Sequence, residues 1–225
     1  MQKILSYFCF LLFCIVTILP EKLFSQEQIK EVSLVYDITL NTSKNSALIK
    51  SFEGARLSIF IKGNLSRTDM SSTIGTESNI YNNSNKSGFI LKEYSGQKLI
   101  ITLTESNWFS RNRFFSSISF EGTNEEKVIN GFKCKKSKAL APSSYVTEVY
   151  VLDDRQINNK SYYNCFSNLS GIPVKYSVKK GDEVFTYTLR SINDDNIVSS
   201  IFDEPQTGYR KITYEEAIKV KGEEK

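Results

Sequence analysis

Cys134 and Cys165 are the side chains best placed to do chemistry, because the other two of the four cysteines, Cys9 and Cys14, lie inside an apolar leader. A thiolate nucleophile needs a base or a positive charge beside it, and the chain contains no histidine. That absence excludes Ser-His-Asp and Cys-His catalysis and any zinc site with an imidazole ligand. General acid–base work near neutral pH falls to a shifted carboxylate, a lysine or a tyrosine. The two cysteines read instead as a disulfide, an even pair in a chain whose leader directs it to an oxidising compartment. Such a bridge closes a loop of about 30 residues and contributes roughly 3 kcal/mol. Two separate thiols are the alternative, since sequence does not set their distance.

Other candidates are weaker. Asp153-Asp154 and Asp194-Asp195 are paired acids in turn-like contexts, without the spacing of a calcium loop. Arg67 and Asp69, two apart on one strand face, read as a solvated surface, as does the KCKKSK run from Lys133. The aromatic cluster Trp108, Phe109, Phe114 and Phe115 is the best material for a cavity wall, with Trp108, Phe109 and Phe115 as the expected lining; core packing is the competing role. No catalytic residue, metal site or cofactor is expected. With 29 basic and 25 acidic side chains scattered among each other, the charge favours no nucleic-acid partner.

The elements that must position these residues are strands. In EVSLVYDITL, Val32, Leu34, Tyr36, Ile38 and Leu40 alternate with polar residues, the period of a half-buried strand. Leu57, Ile59 and Ile61 follow suit, as do Arg67 to Met70 as a polar strand, Phe89 and Leu91, then Leu99, Ile101 and Leu103 after a Ser95-Gly96 hairpin. Ser106 to Arg113 breaks the pattern as a helical turn or loop, and Phe114, Ser116, Ile118 and Phe120 resume it. Asn130-Gly131 is a two-residue hairpin signal, because both positions need positive φ. Tyr145 to Val151, Ile172 to Val178, Val184 to Ile192 and Ile197 to Phe202 complete about ten strands, and Thr213 with Glu216 is a capping box opening a last helix. Short turns throughout imply one antiparallel sheet, which at that strand number must curl, split or close. A mainly β fold follows, a single curled half-barrel with short helical elements; a two-sheet sandwich is the alternative. Leu34, Tyr36, Ile38, Leu57, Ile59, Leu99 and Ile101 are expected to share one interior, closed by Trp108 and Phe115.

Residues 1–25 read as a secretory signal peptide: Lys3, then the apolar Ile4 to Leu19, then Ser25 before the cut. The apolar run is short for a membrane span of about 20 residues, and the large Phe13 before Cys14 disfavours lipidation. Residues 26–225 are expected to form one domain with no integral membrane span, secreted to the periplasm or cell envelope.

Within that domain, EEKVINGFKCKKSKA resembles a segment of the GLPGLI family of secreted bacterial proteins, through Ile129, Gly131, Phe132, Cys134 and Lys136. NLSGIPVKY is similar to the naming motif of that family at Leu169, Gly171 and Ile172, and departs from it at Ser170 and Pro173. A related set of secreted proteins of unknown function carries an L-x-G-I/L-P-L-x-Y variant, which Pro173 and Tyr176 match, and a closing pattern matched by Phe202, Pro205, Gly208 and Tyr209. The resemblance covers Lys127 to Glu216. It implies a Bacteroidota source, an envelope setting and a half-barrel similar to the lipoprotein carriers LolA and LolB, whose concavity holds acyl chains. The implied function is a non-catalytic binding module whose partner is a lipid or another apolar ligand. The alternative is an envelope assembly protein that pairs through a sheet edge.

Overall fold

The computed structural model describes residues 27–42, 46–113, 118–140, 146, 148–162 and 164–223. The signal peptide read over residues 1–25 lies outside the described residues, as does Phe115. In chain order the elements are β1 (Glu27–Ile29), β2 (Glu31–Asn41), α1 (Ser46–Ser51), β3 (Arg56–Lys62), β4 (Leu65–Ser72), β5 (Gly75–Asn82), β6 (Ser87–Tyr94), β7 (Gln97–Leu103), α2 (Glu105–Asn112), β8 (Phe120–Ile129), β9 (Phe132–Ala139), β10 (Glu148–Leu152), β11 (Arg155–Ile157), β12 (Ile172–Lys180), β13 (Glu183–Asn193), β14 (Arg210–Ile212) and α3 (Tyr214–Glu223). Twelve of the strands make one open sheet, ordered β14-β7-β6-β5-β4-β3-β2-β13-β12-β10-β9-β8. All its neighbours are antiparallel except β14 with β7. β1 and β11 pair separately, in parallel. The fold is a single curled antiparallel sheet with short helices. Among the described residues no helix is long and apolar enough to cross a membrane.

Alternation along β2 sets the interior. Val32, Leu34, Tyr36, Ile38 and Leu40 are all buried, and register places Leu34 opposite Ile59 and Tyr36 opposite Leu57. With Val149, Val174, Tyr176 and Leu189 they form the main core on the concave face. Ile101 lies on the same face but in a separate cluster, with Ile90 and Leu103 beneath Trp108 and α3, rather than in one shared interior; Leu99 is only partly buried. The two clusters are parted by a polar stretch of β4 and β5.

The other face is not uniformly polar. Ile80, Phe89, Leu91 and Ile100 are buried there under Ile197 and Phe202. The expected strand from Ile197 to Phe202 is a 3-10 turn over Ser199–Phe202 inside this covering segment. Arg67 explains why. Its Nε holds Asp69 at 2.7 and 3.0 Å, and its Nη1 donates to the Ile201 carbonyl at 2.5 Å. Lys62 Nζ donates to Asn196 Oδ1 at 3.0 Å and to the Ile197 carbonyl at 2.6 Å, and Glu31 accepts from the Ile197 N–H. The segment's backbone thus bonds to side chains rather than to a ladder, and Arg67 and Asp69 are an anchor rather than a solvated face.

The family-motif residues build this frame. Asn130 and Gly131, at φ 50° and 86°, make the two-residue turn joining Ile129 to Phe132. Gly171 sits at φ 94°, and a Cβ there would come within 2.4 Å of the Leu152 carbonyl oxygen, so only glycine fits. Leu169 and Ile172 are buried beside it. Tyr36 donates its hydroxyl to the Pro173 carbonyl at 2.7 Å. Tyr176 stacks on Tyr187 at 4.8 Å and meets Tyr36 and Phe166 edge-on.

Ile59, 1% exposed, is central to the main core. Ile59→Ala is expected to cost about 2–5 kcal/mol, because the surrounding side chains cannot collapse into the space left. The shift in urea midpoint measures it.

Candidate functional site

β4 and β5 face the concave side with residues that a core would not choose. Register sets Thr68 opposite Asn79 and Met70 opposite Glu77. Glu77 is in turn opposite Lys92 on β6. α2 lies across them. Its start is fixed by a capping box in which the Thr104 hydroxyl accepts from Asn107 N–H at 3.2 Å and Asn107 Oδ1 accepts from Thr104 N–H at 3.0 Å. That start puts Trp108, Arg111 and Asn112, spaced three and four apart, on the inward face. Trp108 stacks on Tyr81 with ring centres 4.2 Å apart and planes 12° from parallel. The third wall is Tyr162 and Cys165, from the connection after β11, with Tyr187 of β13. Together they line an open cavity of about 260 Å3.

Leu57, Met70, Trp108 and Tyr187 give the cavity an apolar side, and Thr68, Glu77, Asn79 and Arg111 a polar one. Glu77 accepts from Arg111 Nη2 at 2.9 Å and lies 3.2 Å from Lys92 Nζ. Burial works to raise its carboxyl, but the charges and hydrogen bonds of Lys92 and Arg111 prevail and hold it below the usual carboxylate value. Burial pushes the Tyr187 phenol up to about 12 and Tyr162 up as well, so both stay neutral donors. Asn79 Oδ1 is buried and has no hydrogen-bond partner, the one such side-chain atom among the described residues. The cavity thus offers an aromatic surface and a charged donor. These are groups that hold a bound molecule.

A second cleft, of about 580 Å3, lies between β9, β10 and the β8–β9 turn. It is larger, but its charges answer one another: Lys135 with Asp153 at 2.7 Å, Arg155 with Asp194 at 2.7 Å and Lys133 with Glu126 at 3.4 Å. We therefore place the site on the concave face.

Of the expected lining, Trp108 is in place, Phe109 turns outward with 67% of its surface exposed, and Phe115 lies outside the described residues. Cys134 and Cys165 are both buried and no disulfide joins them, so the expected bridge is absent from the structure. They face different spaces: Cys165 lines the concave cavity, while Cys134 lines the second cleft, its Sγ bonded to the Phe132 carbonyl at 3.2 Å. Glu77, Asn79, Thr68, Tyr162 and Tyr187 were not anticipated. The available signal was the wholly polar run TESN, at residues 76–79, between two hairpins.

No protein-family model matches the chain, and no curated protein does. Among solved structures it is similar to PNGF-II, at 12% identity over 85% of this chain, with a TM-score of 0.45. It spans 33% of the PNGF-II chain. A LolA superfamily protein from Nitrosomonas europaea aligns at 9% identity over 78% of this chain and 90% of its own, with a TM-score of 0.34. MucB aligns at 7% identity over 79% of this chain and 58% of its own, with a TM-score of 0.32. At TM-scores below 0.5 these likenesses assign neither a function nor a site to the chain.

Glu77→Gln is expected to lower stability by about 1 kcal/mol at pH 7, between the value of an exposed and of a buried pair. A carboxyl held below its ordinary value of 4.5 contributes fully above that value and loses its contribution as pH falls through the lower folded value. The gap in urea midpoint between wild type and Glu77→Gln should therefore close in acid. Thiol labelling of the unfolded, non-reduced protein, read by peptide mapping, should modify both Cys134 and Cys165; protection of the pair would restore the disulfide.

Proposed function

We propose that the protein is a non-catalytic binding module of the periplasm or cell envelope, holding an apolar or amphipathic ligand, such as part of a lipid, beneath α2. The observation that carries this reading is the concave cavity, apolar on one side through Leu57, Met70, Trp108 and Tyr187 and polar on the other through Glu77 and Arg111. Binding rather than reaction is supported by the engagement of Glu77 with two cations and by the raised tyrosines, which leave no poised proton-transfer pair. The leader at residues 1–25 supports an envelope location. At about 260 Å3 the cavity falls just under the usual range for small-molecule sites, so it takes one end of a slender molecule rather than the whole of a lipid.

The edge-pairing reading has one observation in its favour. β8 ends the sheet, runs Phe120–Ile129 and is mostly exposed, with Val128 66% exposed. However, the register shift between Gly122 and Glu126 and the charges of Glu125, Glu126 and Lys127 are the features by which edges avoid partners.

Protein purified from its native envelope should release an amphipathic molecule on solvent extraction, detected by mass spectrometry. Trp108→Ala should release much less. If wild type carries nothing while a cross-linker at Val128 captures an envelope protein, the edge reading replaces this one.

A further inference from the structure

α2 has an outer side as well as an inner one. Between it, the end of β5 and the connection after β11 lies a second, open cleft of about 210 Å3, the size of a pyranose ring. It shares Trp108 and Asn112 with the concave cavity and otherwise has walls of its own. One wall is Phe109, 67% exposed and the one exposed aromatic side chain among the described residues. The polar groups of this cleft have bonding capacity to spare. Asn159 accepts at Oδ1 from the Ser161 N–H at 3.1 Å and donates through Nδ2 to the Gly63 carbonyl at 3.0 Å, which fixes its amide. Asn83 Nδ2 donates to that Oδ1 at 2.9 Å, leaving Asn83 Oδ1 over. Asn112 Nδ2 donates to the Trp108 carbonyl at 2.8 Å, leaving its Oδ1 over as well. The Tyr81 hydroxyl and the Glu105 carboxylate have no hydrogen-bond partner among the described residues. Burial and, after it, the charge of the nearby Glu105 push the Tyr81 phenol up, so it stays a neutral donor. None of these atoms is sealed from solvent, since Asn79 Oδ1 is the one buried side-chain atom without a partner among the described residues.

The amide oxygens of Asn83 and Asn112 and the carboxylate of Glu105 can only accept, and the Tyr81 hydroxyl both gives and accepts. Their complement is a small molecule with several hydroxyl donors around its rim and an apolar face for the exposed ring. We propose that this cleft binds the pyranose ring of a neutral sugar, its hydroxyls donating to Asn83, Asn112 and Glu105 and its C–H face lying on Phe109. The proposal goes beyond the concave cavity and does not rest on it. An anion fits less well: Lys86 and Arg113 also line the cleft, but an anion has no hydrogens for the three acceptors and meets the like charge of Glu105. A wholly apolar ligand would cover the acceptors without answering them.

The test is saturation-transfer NMR on the full chain with the methyl glycosides of glucose, galactose and mannose, and with inorganic phosphate as competitor. At least one glycoside should give saturable transfer that phosphate does not displace. Phe109→Ala should weaken that binding by about tenfold, the weight of one stacked ring, and Phe109→Tyr should keep it. Phe109 is exposed, so both variants should fold, and circular dichroism checks this. The matched disaccharide separates two sources of the same ring: binding at least as tight as the glycoside supports the end of a glycan chain, and weaker binding supports a free sugar. No saturable transfer from any of the three glycosides, equal binding to Phe109→Ala, or displacement by phosphate would overturn the sugar site. Each of those results leaves the concave cavity untouched, because Phe109 does not line it.

Discussion

The pairing of β13 with β2 holds the molecule together. Strands β2 to β7 form one run of neighbours and β8, β9, β10, β12 and β13 another, and within the large sheet the two runs meet only where β13 returns to β2, from Val184 opposite Asn41 to Asn193 opposite Ser33. Side chains reinforce the seam. The Tyr36 hydroxyl crosses to the Pro173 carbonyl, and Tyr36 packs edge-on against Tyr176. The contact joins residues about 150 positions apart in sequence, so loop-closure entropy must be met before it gives any return, which makes for slow folding. The cavity depends on the same seam, because Tyr187 comes from one run and Leu57 and Met70 from the other.

Curling brings two apolar clusters onto one face, yet β4 and β5 part them with Thr68, Glu77 and Asn79. Leucines there would have fused the clusters into one core. A fold that keeps polar groups on its concave face, one of them unsatisfied, departs from what stability alone favours, and such departures collect at functional positions. The ion pair of Arg111 with Glu77 holds α2 over this place, and the helix buries none of its own residues. α2 is therefore kept by a few specific contacts rather than by a packed face.

Much of the frame was legible in sequence. β2 and β3 showed strict alternation, Asn130-Gly131 showed its hairpin, and Thr213 with Glu216 showed the cap of α3, where Thr213 N–H donates to Glu216 Oε2 at 2.6 Å. β5 was not legible, because Gly75 to Asn79 is polar at every position and period-two patterning has no contrast to report. The strand expected at Ile197 to Phe202 has strand-like residues, but its backbone partners are Arg67 and Lys62, more than 130 positions away. No local pattern encodes that. The site was hidden for both reasons together. Glu77 and Asn79 lie on the strand without contrast, and Tyr162, Cys165 and Tyr187 reach the site only through tertiary folding. The disulfide expectation rested on counting cysteines, and counting carries no direction; the two thiols face separate spaces.

The Trp108 ring, stacked on Tyr81 at the cavity wall, is the only tryptophan in the chain. All indole fluorescence from this protein therefore originates at one spot. Any molecule that displaces water there, or tilts the ring off Tyr81, changes the whole of that signal and not a diluted fraction. The protein carries its own optical gauge of occupancy, usable on the purified, unmodified chain where an added label would disturb so small a space.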